Sequence, residues 1–362
     1  MKTHISQCIS LSGRTFPFTV LRTYSSCSTA LRQELTSRRL PWTYDYLHPQ
    51  PSHLLDLSLL DLVPSPGQLP IDYATLPSIE RPVPMKPGHH LVYFPPQVTL
   101  SQLLPDGTDT LHYPGEPFNK RLWVGGRVRF PIPRIPRLDG SRAVCIETIR
   151  DVSVKGPNDQ EKIFVNIERR VGTVEEGESE SDIKQRIYRQ DESDIGQSSV
   201  IENRTLVFMR EKAPEQLQID KQNWGSNRRR IKAPLNPEFR HTMKPTKALL
   251  FRFSALTFNA HSIHLEETYT RNIEGHPNLL VHGPLTLTLL LTVLQTQLMK
   301  SGRDICEIEY RNIAPLFVDE DLTICGKPKS GNETGTWDVW IESPNGGLAV
   351  KGVVQTCLRK NS

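Results

Sequence analysis

Two short stretches of this chain carry residue types suited to moving protons. Phe251 to Glu266 (FRFSALTFNAHSIHLE) places Asn259, His261 and His264 within six residues, at the end of an apolar run. Leu279 to Leu285 (LLVHGPL) sets His282 and Gly283 directly before a long apolar segment. A neutral imidazole titrates near pH 6.5 and can act as base and acid in turn. A glycine at a helix start offers a backbone N–H that no side chain obstructs and that meets developing negative charge. Pro284 has no N–H, so Gly283 is the donor of this pair, and proline suits the first turn of a helix. A base on a loop together with such an amide fits abstraction of a weakly acidic proton beside a carbonyl.

Other chemistries have less support. Ser254 does not sit in a G-x-S-x-G turn, which argues against a serine hydrolase. Asp106, Asp109 and Glu116 lie in a turn-rich segment and read as structural, and no metal-ligand spacing is visible, so neither metal nor redox cofactor is expected. The six cysteines form no C-x-x-C pair and read as ordinary thiols. A net charge of +4 over 362 residues is too small to point to nucleic acid. The apolar run from Leu279 to Leu294 is shorter than the ~20 residues a membrane span needs and is broken by His282 and Pro284.

The elements that position these residues follow from periodicity. Helix candidates cover His53–Leu62 and Asp72–Leu76. Arg121–Phe130 reads as a strand with a glycine bulge, and Ala143–Val154, Lys162–Arg169 and Arg204–Arg210 read as further strands. A helix from Pro284 to about Met299, hydrophobic almost all round, must be enclosed on most sides. Strands at Ile305–Tyr310, Leu322–Cys325, Thr336–Glu342 and Gly347–Thr356 follow it. The pattern predicts an α+β fold in which antiparallel strands wrap a long helix, repeated in tandem with a degenerate first half.

Composition divides the chain further. The first 33 residues carry Lys2, Arg14, Arg22 and Arg32 and no acid, as in a mitochondrial transit peptide, so residues 1–35 are expected to be a leader to the mitochondrial matrix, with Arg22-Thr-Tyr24-Ser25 resembling a processing site. Residues 40–212 form the first unit. Inside it, the acidic stretch 172–203 lacks apolar periodicity and is expected to be a disordered tip. Residues 213–245, with Arg228, Arg229 and Arg230, read as a linker, a basic run that is a solvated loop or a contact for the phosphates of a carrier cofactor. Residues 246–358 form the second unit, which holds the site.

FRFSALTFNAHSIHLEETYT followed by EGHPNLLVHGPL resembles the MaoC-like hydratase and dehydratase family, in particular its type 2 3-hydroxyacyl-thioester dehydratases and mesaconyl-CoA hydratases. LVYFPP at 91–96, DGTD at 106–109, PGEPF at 114–118, RLWVGG at 121–126 and DVSVKG at 151–156 agree with it. The resemblance spans about residues 90–356. It implies a double hot-dog fold and a hydro-lyase acting on acyl thioesters, with acyl carrier protein or coenzyme A carrying the substrate. His264 matches the family's catalytic histidine. Asn259 stands where the wider family has its catalytic aspartate, and His261 where it has asparagine. The expected roles are His264 as acid/base, Asn259 holding a hydroxyl or water and Gly283 polarising the thioester carbonyl. His261 either orients His264 or shares the proton work. His282 shapes the turn through backbone hydrogen bonds, and Glu266 steadies the loop. The reaction expected is dehydration of (3R)-hydroxyacyl-ACP to trans-2-enoyl-ACP in type II fatty-acid synthesis. Hydration of an enoyl-CoA, thioester hydrolysis on the same fold and non-catalytic binding of acyl carriers are the alternatives.

Overall fold

The computed structural model describes residues 28–63, 75–132, 134–157, 159–222, 230–329 and 335–359. Ten antiparallel strands form one sheet: β1 (Thr43–Tyr46), β2 (Lys120–Arg129), β3 (Arg142–Lys155), β4 (Lys162–Thr173), β5 (Val200–Met209), β6 (Phe239–Met243), β7 (Arg303–Asn312), β8 (Leu322–Pro328), β9 (Thr336–Glu342) and β10 (Leu348–Leu358). Their order is β1-β3-β4-β5-β2-β7-β10-β9-β8-β6. Counted from each outer edge, both halves run first, third, fourth, fifth, second strand. The sheet is therefore a tandem duplication joined where β2 pairs with β7, Gly126 opposite Tyr310.

Helices enter each half between its first and second strands. In the second half these are α5 (Lys247–Thr257), α6 (Glu267–Asn272) and α7 (Gly283–Leu298). Helix α7 buries Leu285, Leu287, Leu289, Leu290, Leu291 and Leu294, so the sheet encloses it on most sides as its sequence requires. The threonines along it do not break this, because Thr286, Thr288 and Thr292 donate their hydroxyls to carbonyls four residues back. Its last turn gives way to a 3₁₀ turn at Met299–Ser301, closed by Gly302 at φ 63°. Among the described residues, the first half has α2 (Pro49–Leu59) and two 3₁₀ turns, His89–Val92 and Leu100–Gln102, in the corresponding place. This is the α+β double hot dog, with the degenerate half first.

Most strands fall where periodicity puts them, and the expected bulge is a register shift between Trp123 and Gly125. Other expectations need correction. The acidic stretch 172–203 is ordered: it continues β4, holds helix α3 (Glu180–Ile187) and opens β5. Ile183 and Ile187, one helical turn apart, are buried against Val144, Ile146 and Val174, and Arg186 pairs with Glu178. The linker 213–245 contains α4 (Pro214–Gln222) and the edge strand β6, which belongs to the second half. A helix over 28–36, α1, buries Leu35 among Ile163, Ile167 and Phe208, so the folded part already includes the end of the segment 1–35 expected as a leader. The candidate cut at Arg22–Ser25, most of the helix candidate Asp72–Leu76, and Arg228 and Arg229 lie outside the described residues. Cys306 and Cys357 are joined in a disulfide between β7 and β10, whereas Cys145 and Cys325 are free and buried. The expectation of plain thiols fails for that pair because neighbouring strands bring together residues 51 apart in sequence.

Candidate active site

The loop carrying the histidines is held at both ends. Helix α5 is capped by Thr246, whose hydroxyl accepts from the Leu249 N–H. It stops at Phe258, in the left-handed region at φ 52°. The Asn259 N–H then donates to the Ser254 carbonyl at 2.9 Å, which turns the chain. The Asn259 side-chain oxygen accepts the His261 N–H at 3.0 Å, leaving its NH₂ as the part free to meet a ligand. A 3₁₀ turn over Ser262–His264 follows.

The segment before α7 is zipped to this turn. The Leu280 N–H donates to the Ile263 carbonyl at 3.0 Å. In return the Leu280 carbonyl takes a hydrogen bond from His264 Nδ1 at 2.8 Å. A carbonyl only accepts, so Nδ1 carries the hydrogen and Nε2 of the neutral ring is left with its lone pair. Burial pushes His264 down to about 4, with the Leu280 bond opposing and Arg121 adding to the effect. The ring is thus an unprotonated base at neutral pH.

The three site histidines are packed together. His264 stacks on His282 with centroids 3.6 Å apart, and His261 meets His264 edge-on at 5.5 Å. His282 is fully buried, with Nε2 2.9 Å from the Ser254 hydroxyl. Its side chain therefore supports the face of His264 through Ser254, which corrects the expectation of a backbone bond. Glu266 is exposed, and its N–H donates to the Ser262 carbonyl.

Gly283 begins α7, where its N–H has no partner within the helix. It is pressed against β2: a Cβ there would lie 2.8 Å from Trp123 Cβ and 3.2 Å from Asn312 Nδ2. Asn259, His261, His264 and Gly283 all line one cavity of about 610 Å³. The structure therefore brings together the four residues singled out for chemistry or its support, and leaves His282 and Glu266 behind or outside them.

Two features of the site escape sequence reasoning. The DGTD turn of the first half docks on the histidine loop, with Asp106 Oδ2 3.4 Å from His261 Nε2. Next to it, Asp109 pairs with Arg121 at 2.9 Å. The second feature is a charged ladder on the inner face of the first half. Glu147, Arg169 and Glu202 stand opposite one another on β3, β4 and β5. Arg204 bonds Glu202 at 3.0 Å and lies 4.7 Å above the Trp123 ring. Glu147, Arg169 and Arg204 line the same cavity. Strand periodicity gave no sign that these charges face inward, where among the described residues no helix as long as α7 covers them.

Fold and site together define a double hot-dog protein with a histidine and a helix-terminal amide on one cavity. Solved structures with this fold include the MaoC-like dehydratase of Phytophthora capsici, with TM-score 0.56 and 11% identity, covering 91% of this chain and 99% of that one. A second MaoC-like dehydratase gives TM-score 0.57 at 12% identity, covering 90% of this chain and 100% of the other. The family model for hydroxyacyl-thioester dehydratase type 2 matches residues 88–318, and the chain belongs to that family. Among its relatives is the mitochondrial hydroxyacyl-thioester dehydratase type 2 of Schizosaccharomyces pombe, 28% identical over 76% of this chain and 86% of that protein. Another is the mesaconyl-C(4)-CoA hydratase of Chloroflexus aurantiacus, 29% identical over 77% of this chain and 85% of that protein.

Proposed function

We propose that this protein is a hydro-lyase that interconverts 3-hydroxyacyl and trans-2-enoyl thioesters by adding or removing water. The observation that carries the reading is that His264, held with its Nε2 free of hydrogen, and the Gly283 amide line one cavity. In dehydration His264 Nε2 takes the C2 proton. The thioester oxygen gains charge and is met by the Gly283 N–H, a kind of donor worth about 3 kcal/mol. The C3–O bond breaks, the oxygen takes a proton from the site histidines and leaves as water, and the Asn259 NH₂ holds it. The substrate carrier is acyl carrier protein, the setting type II fatty-acid synthesis and the place the mitochondrial matrix. Support for the organelle comes from the relatives in Schizosaccharomyces pombe and Saccharomyces cerevisiae, both named mitochondrial.

The test is turnover of 3-hydroxybutyryl and crotonyl thioesters, on acyl carrier protein and on coenzyme A, with His264→Ala alongside. Loss of turnover in a folded variant is expected, and normal activity in it would sink the reading.

A second reading is hydration of an enoyl-CoA whose acyl group ends in a carboxylate. Arg169 and Arg204 on the cavity wall favour it, and so does the kinship with the Chloroflexus hydratase. Mesaconyl-CoA turned over faster than crotonyl-CoA would support this second reading, and the reverse order would support the first.

A further inference from the structure

Asn259 cannot titrate, so the carboxylate that would complete a proton-handling pair is missing from the histidine loop itself. We infer that Asp106, from the first half of the chain, supplies it, acting through His261 as a positioning residue. The inference rests on the hydro-lyase reading above.

The geometry is specific. Asp106 is buried, and both the N–H and the hydroxyl of Thr108 donate to its Oδ1, at 2.9 and 2.7 Å. That fixes the carboxylate plane and leaves Oδ2, buried and without a hydrogen-bond partner, facing His261 Nε2 at 3.4 Å. The loop is keyed to this position. The Ser262 N–H donates to the Asp106 carbonyl at 2.8 Å. Gly107, at φ +81°, lies so close to the histidine loop that a Cβ would be 2.1 Å from the Ala260 carbonyl oxygen. The groups around His261 are then Asp106 from this turn, His264 from its own loop, His282 from the segment before α7 and Arg121 from β2, and Arg121 is already paired with Asp109.

Charge balance follows. Burial disfavours a charge on His261 or His264. With the Asp106 carboxylate 3.4 Å from His261 Nε2, a proton held on His261 leaves that pair neutral. In dehydration His264 Nε2 takes the C2 proton while the C2–H electrons form the C2=C3 bond. The C3–O bond breaks with its electrons going to oxygen, which takes a proton from protonated His261 and leaves as water. His261 keeps the hydrogen on Nε2 that faces Asp106. His264 then loses its added proton to solvent and His261 takes one up, which restores the starting state. The proton count balances, and no reductant is needed.

The experiment is the pH profile of kcat and kcat/KM on a 3-hydroxybutyryl thioester for the full chain, Asp106→Asn, His261→Gln and the double variant. Asparagine keeps the oxygen that Thr108 holds, so circular dichroism should show a folded protein. The expected result is a loss of kcat of about 100-fold with KM nearly unchanged. The basic limb should move to lower pH by one unit or more, because removing the anion weakens the hold on the His261 proton. The double variant should be no worse than the poorer single. Unmoved limbs, or losses that multiply in the double variant, overturn the inference. If Asp106→Asn does not fold, His261→Gln alone decides through the same limb. A wild-type chain inactive on every 3-hydroxyacyl and enoyl thioester would instead overturn the underlying reading.

Discussion

His264 and Leu280 are joined twice over: the imidazole Nδ1 bonds the Leu280 carbonyl at 2.8 Å, and the Leu280 N–H bonds the residue before the histidine at 3.0 Å. This arrangement fixes both the tautomer and the position of the base. His264→Ala should lower kcat by about 1,000-fold or more, since a positioned acid/base contributes factors of that order. In the wild type the acid limb of kcat/KM should fall near pH 4, where burial places His264, and not near 6.5. Initial rates taken within seconds of a jump from pH 7 to values between 3.5 and 8, before acid unfolding, would check both.

Gly283→Ala should be costly although it keeps the N–H. Its Cβ would stand 2.8 Å from Trp123 Cβ and 2.9 Å from Cγ. Trp123 has little freedom to yield, because Nε1 donates to the Tyr310 hydroxyl at 2.7 Å and Arg204 sits over the ring. The start of α7 must therefore shift. The expected outcome is a loss of kcat of about 100-fold, with a loss of stability on the order of 1–3 kcal/mol from overpacking, read by urea unfolding.

Asn259→Asp preserves the turn, since either carboxylate oxygen can accept the His261 N–H that Asn259 Oδ1 accepts at 3.0 Å. It also places a negative charge beside His261 and His264. An anion favours the imidazolium, so the acid limb of kcat/KM should move to higher pH. A limb that stays in place or moves down would contradict this account.

The protein should be acid-sensitive well above the carboxylate range. Burial holds His89, His90 and His264 at about 4 in the folded chain, against about 6.5 when unfolded. Between those values the unfolded chain binds protons that the folded chain refuses. Stability is therefore full above pH 6.5 and falls as pH drops toward 4. Each histidine accounts for about 3 kcal/mol, and three together match the whole stability of an ordinary domain. Thermal unfolding followed from pH 7 to 4 should show a steep fall in Tm across this interval.

The charged ladder should be a structural weak point when broken. Glu202 is buried and meets Arg204 at 3.0 Å and Arg169 at 3.5 Å. Glu202→Gln would leave the buried Arg169 and the half-buried Arg204 sharing one remaining carboxylate, Glu147. A loss of about 3–5 kcal/mol is expected in urea titrations. Glu161→Gln, which weakens a more exposed pair with Arg210, should cost under about 1 kcal/mol.

What periodicity missed has identifiable causes. Residues 172–203 read as disordered because acidic residues swamp a short apolar signal. Ile183 and Ile187 lie on one face of a helix, and two buried side chains with an Arg186–Glu178 pair are enough to fold it back onto the sheet. Strand β6 was hidden in a polar stretch because an edge strand buries one side only: Met243 is buried while Arg240 and Thr242 are exposed. By contrast, β9 was legible to the residue, since every position of Thr336–Glu342 is wholly or partly buried.

The sequence by itself determined the local parts of this site. An apolar segment opened by Gly283 and Pro284 forms a buried helix with a free amide at its start, and F-N-A-H-S-I-H sets two imidazoles within one short loop. Those outcomes rest on propensity, capping and periodicity over a few residues. Only the tertiary structure decided which groups from elsewhere face them. That Asp106 meets His261 across 155 positions, that Leu280 sets the tautomer of His264, and that Glu147, Arg169 and Glu202 share one face follow from strand order and register. Charge and hydrogen bonding act over a few ångströms in space, and distance along the chain carries no record of that.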